Sequence, residues 1–205
     1  MFITFEGPEG SGKSTQLPEL ARFLEEFGMS VVKTREPGGT KIGDQIREVL
    51  VRMDNTELHP RTEILLFLAA RAQLVEELIV PSLQQEKIIL CDRYGDSTLA
   101  YQGYGHGLDL DSLRSMLHFA TGGLKPDLTI LLDVDVVTGL KRKKVKEEWN
   151  RLDAFELSFH ERVREGYHIL AKKEPDRWKI VDATQEPEEV QKEIRTLVLD
   201  ALAKK

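Results

Sequence analysis

EGPEGSGKST, Glu6 to Thr15, contains the pattern G-x-x-x-x-G-K-[ST], with Gly7, Gly12, Lys13 and Ser14 in the fixed places. An apolar run, FITF (2–5), precedes it. A stretch with Leu17, Leu20, Leu24 and Phe27 at helical spacing follows. Strand, glycine-rich turn and helix, in that order, make a cradle for phosphate. The glycines let successive backbone N–H groups converge on the oxygens, and the helix start adds the positive end of its dipole. Lys13 is expected to reach the β- and γ-phosphates of a nucleoside triphosphate, and Ser14 to hold Mg²⁺. Gly7, Pro8, Glu9, Gly10, Ser11, Gly12, Lys13, Ser14 and Thr15 are thus the candidate nucleotide-binding segment. Glu9 is out of character, because it puts a carboxylate in the middle of an anion cradle.

The same alternation continues outward. Four more short apolar runs, VVKT (31–34), KIIL (87–90), LTILLDV (128–134) and WKIVD (178–182), are separated by helical patterns. Those patterns cover 13–27, 40–52, 61–84 with an interruption at Pro81, 109–121, 136–148, 153–173 and 187–203. Strands alternating with helices imply an α/β fold, a parallel sheet covered on both faces. Function is then expected at the carboxyl ends of the strands. The 205 residues suit one domain, 1–205, with its own core. A net charge of -6 argues against general affinity for nucleic acid or anionic membrane. No apolar run reaches the roughly 20 residues that span a bilayer. The start MFITFEG lacks a secretory signal's basic and apolar regions. A cytoplasmic location is expected, and the single cysteine, Cys91 in KIILCD, reads as a buried strand residue.

A phosphate loop alone leaves three classes open: a GTPase switch, a motor or regulatory ATPase, and a small kinase. The guanine-reading N-K-x-D stretch is missing, since neither Asn55 nor Asn150 is followed by Lys. The chain leaves little room for ATPase coupling machinery. A small kinase needs a second anion pocket and a lid, and candidates for both are present.

CDRYGDSTLAYQGYG (91–105) follows the third strand. Asp92 stands where carboxylates hold Mg²⁺ or its waters. Arg93 can clamp a phosphate with its planar fork. Ser97, Tyr101 and Gln102 add hydroxyl, aromatic and amide groups, and Gln102 can pair with a base edge. TREPGGT (34–40) makes a tight turn after the second strand, with Arg47 beyond it able to point at the same anion. Phe67 and Arg71, at i and i+4, share a helix face. Phe67 can stack on a base, and core packing is its other reading.

Together these stretches resemble the thymidylate kinase family. FEGPEGSGKST, TREPGGT with Arg47, DRYxxSxxAYQGYG, GLKPDLTILLDV and RLDxxxxxFHERVREGY occur in the family's order over essentially the full length. The resemblance implies a nucleoside monophosphate kinase domain on a P-loop NTPase fold with strand order 2-3-1-4-5. It implies transfer of phosphate from ATP to dTMP with Mg²⁺, and a homodimer. It also accounts for Glu9, whose carboxylate would accept a hydrogen bond from the sugar 3′-hydroxyl. Arg47 and Arg93 would hold the dTMP phosphate. Phe67 would stack on thymine, Arg71 and Gln102 would bond its edge, and Ser97 would line the pocket. The alternatives are a P-loop kinase for another monophosphate or a deoxynucleoside, and a non-catalytic nucleotide-responsive protein.

GLKRKKVKEEWNR (139–151) carries six Lys or Arg and reads as a lid, about 139–152. Phosphoryl transfer demands alignment, water exclusion and charge neutralisation, all of which a lid can supply. In one arrangement of the family the phosphate loop carries an arginine after its acidic residue. In the other that position is small and the lid supplies the arginine. Here it is Gly10, so the resemblance is to the lid-arginine, bacterial type. Arg151 is ranked above Arg142 as the γ-phosphate arginine. The stretch departs from the usual pattern, with Asn150 before Arg151 and Asp153 in a Glu position, which leaves Asp153 without a role. VDATQEP (181–187) matches the loop flanking adenine. The five histidines show no metal-ligand spacing.

Overall fold

A computed structural model describes residues 1–145 and 150–204. Five strands, β1 (Phe2–Glu6), β2 (Val31–Arg35), β3 (Ile88–Asp92), β4 (Leu128–Asp133) and β5 (Trp178–Asp182), form one sheet in the order β2-β3-β1-β4-β5. Every pairing is parallel. The helices between them are α1 (Lys13–Glu26), α2 (Lys41–Val51), α3 (Pro60–Leu74), α4 (Val80–Gln84), α5 (Gly95–Thr98) and α6 (Leu110–Thr121). They are followed by α7 (Val136–Val145), α8 (Leu157–Lys173) and α9 (Pro187–Leu202). The order and the parallel pairing agree with expectation.

Alternation along the strands sends side chains into separate cores. Ile3, Phe5, Leu90, Ile130 and Leu132 pack with Leu17, Leu20 and Leu24 of α1 and with Val190, Ile194 and Val198 of α9. Leu131 and Trp178 face the other way, into a core with Ile64, Leu117 and Tyr167 from α3, α6 and α8. A third cluster joins Phe2, Ile89 and Cys91 to Leu74 and Ile79. Cys91 is fully buried, as its apolar run suggested. The buried hydroxyls of Thr4 and Thr129, on neighbouring strands, bond to each other at 2.9 Å.

The helical reading of 61–84 resolves into three parts: α3, a wide i→i+5 turn over Val75–Ile79, and α4. A proline ring clashes with the carbonyl four residues back. For Pro81 that residue is Glu77, inside the wide turn, so the chain stays helical through the proline. A second wide segment, Leu99–Gly105, continues α5. The pattern over 153–173 becomes helical later, at Leu157, because a 3₁₀ turn over Arg151–Ala154 comes first. The helix expected over 136–148 is described only to Val145, and 146–149 of the lid stretch lie outside the described residues. Among the described residues, no helix is long and apolar enough to cross a membrane.

Candidate active site

The carboxyl ends of β1, β2 and β3 open into a cavity of about 840 Å³. The phosphate loop leaves β1 and enters α1 through Gly12, whose φ of 94° is left-handed. No acidic residue occupies the first turn of α1, so its dipole end is free to face an anion. Gly10 has a different reason for its size. A Cβ there would meet the Gly139 carbonyl oxygen of α7 at 1.9 Å, and its φ is 68°. An arginine at this position would need α7 to move, which is a physical reason for the lid-type arrangement.

Lys13 is buried at the start of α1. Its Nζ donates to the carbonyls of Gly7 and Pro8, both at 3.0 Å, and to Ser11 Oγ at 3.1 Å. Burial and the Arg93 charge pull its pKa down to about 8. Ser14 and Thr15 are exposed and line the cavity with Glu9 to Lys13. Gly7 and Pro8 are not among the described residues lining the cavity, and their carbonyls accept from Lys13.

Arg93 follows β3 with a left-handed φ of 68°, unusual for a side chain of its size. That turn brings the guanidinium back over the phosphate loop. Nη1 donates to Gly7 O (3.1 Å), Ser97 Oγ (3.3 Å) and Tyr167 OH (3.0 Å). Nη2 donates to Glu9 Oε1 (2.7 Å) and Tyr101 OH (2.9 Å). Glu9 Oε1 also accepts from Tyr101 OH at 2.8 Å, and Oε2 accepts from Lys143 Nζ at 2.6 Å. Burial alone would raise the Glu9 pKa. Arg93, Lys143 and Lys13 more than reverse that and hold it well below the carboxylate range.

Beneath Arg93 lies Glu6, fully buried at the end of β1. Its Oε1 accepts from Tyr94 N at 2.8 Å. Its Oε2 accepts from Ser97 Oγ at 2.6 Å and Tyr167 OH at 2.9 Å. Burial, then Asp96, pushes its pKa up to about 7.

Arg71 is 1% exposed. Nε and Nη2 grip Glu36 Oε2 at 2.8 and 2.5 Å, Nη2 also donates to Tyr94 O (3.1 Å), and Nη1 donates to Thr98 Oγ1 (2.9 Å). Burial works against its charge, but Glu36 outweighs burial and holds its pKa up. Gln102 is buried and gives Nε2 to Glu63 Oε1 at 3.0 Å. Arg47 donates to Pro37 O at 3.0 Å, its pKa drawn down by burial and by Arg35. Phe67, Asp92, Ser97, Tyr101 and Arg142 also line the cavity. Arg142 Nη1 donates to Ala183 O at 2.8 Å, in the VDATQEP loop.

Arg151 stands apart. Nε donates to Leu50 O at 3.0 Å and Nη2 donates to Glu63 Oε2. It is not among the described residues lining the cavity. The buried Glu63 carboxylate is the physical reason, a strong acceptor for a guanidinium. Asp153 acquires a role instead. Its Oδ2 accepts from Asn150 N at 2.8 Å and its Oδ1 from Lys143 Nζ at 2.5 Å. Burial and Glu9 raise its pKa.

Sequence reasoning had not singled out Glu6, Glu36, Glu63, Lys143 or Tyr167. Lys143 was one cation in a run of six, and its spacing carried no separate signal. Glu36 and Tyr167 lay inside recognised stretches, but their partners are 35 and 161 residues away.

The thymidylate kinase family model matches residues 5–194. A thymidylate kinase of Roseiflexus castenholzii is 51% identical over 216 residues, covering 99% of this chain and 94% of its own length. One from Thermomicrobium roseum is 56% identical over 190 residues, covering 92% and 90%. The crystal structure of thymidylate kinase from Ehrlichia chaffeensis matches with a TM-score of 0.80 at 36% identity, over 97% of this chain and 98% of that one. Taken with a phosphate loop and a second cationic wall opening into one cavity, these matches show that the chain belongs to the thymidylate kinase family.

Proposed function

We propose that this chain transfers the γ-phosphoryl group of ATP to dTMP, giving ADP and dTDP. The observation that carries the reading is that two separate sets of anion-binding groups open into one cavity. The loop and the start of α1 supply one, with Lys13. The ends of β2 and β3 and helix α2 supply the other, with Arg35, Arg47 and Arg93. A nucleotide switch needs only the first set, whereas a kinase for a phosphorylated acceptor needs both.

The base pocket favours thymine by its hydrogen-bond polarity. A guanidinium has five N–H donors. Four of Arg71's are engaged, which leaves one on Nη1 for a base carbonyl. Gln102 must turn its amide nitrogen to Glu63, so its oxygen is presented as an acceptor. Thymine offers O4 and N3–H, which match. Cytosine offers an amine and a bare N3, which mismatch both. Phe67 stacks on the ring, Ser97 lines the pocket, Arg47 and Arg93 take the phosphate, and Glu9 takes the 3′-hydroxyl. The acceptor phosphate needs no general base, since its second pKa is about 6.

Among the described residues no cluster of three or more His, Cys, Asp or Glu could hold a metal alone. The Ser14 hydroxyl and Asp92 carboxylate both line the cavity. Two hard oxygen donors suit Mg²⁺, which keeps waters and takes phosphate oxygens. Mg²⁺ held there would supply positive charge to the β- and γ-oxygens. Arg142, beside the VDATQEP loop, faces the adenine end. The 139–152 stretch is the lid. Leu65 (61% exposed) and Phe119 (91% exposed), on α3 and α6, support a homodimer through these helices, checked by light scattering.

The deciding experiment measures ADP release with Mg²⁺, ATP and a panel of dTMP, dUMP, dCMP, dGMP, AMP and thymidine. The expected result is turnover with dTMP, dUMP second, and dCMP lower by about a thousandfold or more, because its edge leaves buried polar groups unpaired. Efficient turnover of dCMP or thymidine would refute the pocket. ATP binding without any turnover would favour the non-catalytic reading.

A further inference from the structure

Among the described cations of 139–152, Lys143 is the one whose charged end meets the phosphate loop. Its Nζ lies 2.6 Å from Glu9 Oε2 and 2.5 Å from Asp153 Oδ1, and its side chain is 12% exposed on the cavity wall. Arg142 is committed to Ala183 O, and Arg151 to Glu63 and Leu50 O. Glu9 therefore holds Arg93 on one oxygen and Lys143 on the other. Whatever anion Arg93 clamps, Lys143 stands beside it.

The backbone dictates this placement. Gly139 precedes Lys143 by four residues, on the same helix face. A Cβ on Gly139 would come within 2.1 Å of Glu9 O, and one on Gly10 within 1.9 Å of Gly139 O. Two facing glycines let α7 lie against the loop, and one turn further on the same face delivers Lys143 to the Glu9 carboxylate. An ammonium has three donors and no acceptor. Glu9 and Asp153 take two, and the third remains for a ligand.

We propose that Lys143 is a catalytic residue of the dTMP kinase reaction, its ammonium donating to a non-bridging oxygen of the γ-phosphoryl group as that group transfers. It performs from α7 the neutralisation expected of Arg151. The bond from the γ-phosphorus to the β–γ bridging oxygen breaks and ADP leaves with the electron pair. A dTMP phosphate oxygen forms the new bond, and Lys143 keeps its protons. Charge on the transferring group spreads over its equatorial oxygens, so a cation beside them acts on the transition state more than on either bound substrate. This inference rests on the dTMP kinase reading.

The test is steady-state kinetics of the full chain and of Lys143→Met, Lys143→Arg and Arg151→Met, each assayed at a temperature below the start of its own thermal unfolding curve. Lys143→Met is expected to lower kcat about a hundredfold, with both KM values moving less than about threefold. Lys143→Arg is expected to recover at least about tenfold of that loss, because it restores the charge. An unchanged kcat in Lys143→Met would overturn the proposal. So would a raised KM for dTMP with kcat intact, which marks a lysine that only steadies Glu9. Loss of kcat in Arg151→Met with none in Lys143→Met would return the role to Arg151. If the unsubstituted enzyme does not turn over dTMP, the function reading falls and this inference with it; turnover by that enzyme makes the variants a test of Lys143 alone.

Discussion

Glu6→Gln exchanges the buried carboxylate under Arg93 for a neutral group of the same shape. The amide oxygen can keep the Tyr94 N–H, and the amide nitrogen can face Ser97 Oγ and Tyr167 OH, hydroxyls that rotate to accept. What disappears is the titration. In the unfolded chain Glu6 ionises near its ordinary 4.5, and in the folded chain near about 7. Between these values the folded state holds a proton that the unfolded state has lost. Stability therefore falls as pH rises through the window. From about pH 5 to about pH 8 the loss at this site is about 2 to 3 kcal/mol. The glutamine variant does not suffer it. Its stability relative to the unsubstituted chain should thus rise by about 2 to 3 kcal/mol over that span. At this chain length that is a relative gain of about 5 to 10 °C in unfolding temperature. Urea or thermal unfolding of both proteins at the two pH values, in equal salt, reads the difference, and subtraction removes groups common to both. A difference that does not change with pH would refute the reasoning. It would mean that the Arg93 charge outweighs burial and keeps Glu6 ionised throughout.

Gly139→Ala places a methyl against Glu9 O and should push α7 off the phosphate loop, lowering kcat at least about tenfold by misplacing the lid cation; steady-state kinetics would show it, and an unaffected kcat would mean that α7 need not pack there. Arg71→Ala strips the partner from a Glu36 side chain that is 3% exposed and should cost about 3 to 5 kcal/mol in urea unfolding, beyond any kinetic effect. Arg93→Ala should raise the KM for dTMP most. Because Gly7 O keeps Lys13 but loses the second of its two side-chain donors, ATP affinity should also weaken by about a few fold, and an ATP titration unchanged from the parent would show that this contact does not shape the loop.

The phosphate loop was readable from sequence because it is local. Gly7 to Ser14 and the flanking apolar periods lie within one strand, one turn and one helix, and the backbone there needs no distant partner. The five strands were readable for the same reason, while their order came from resemblance. Cavity membership also followed, since Asp92 and Arg93 sit at or just beyond the end of β3, where a parallel sheet gathers its loops, and Arg47 lies on the helix that follows β2. Pro81 misled because its effect depends on whether the preceding turn can widen, which tertiary packing decides.

Charge pairing was not readable. Arg151 turns to Glu63, 88 residues away, and Lys143 to Glu9, 134 away. In a run of similar cations, sequence names those available for a lid but not which one each carboxylate takes. That choice depends on helix phase and on how close two backbones come, and here the approach of Gly139 to Gly10 sets both. Sequence by itself pointed to a phosphate loop, a second set of cations near the strand ends and a cationic stretch over 139–151 within one α/β fold. Only the tertiary structure decided that Glu6 is buried enough to hold its proton near neutrality, and that Lys143 stands at the loop, because burial and ion pairing belong to the packed chain and not to any segment of it.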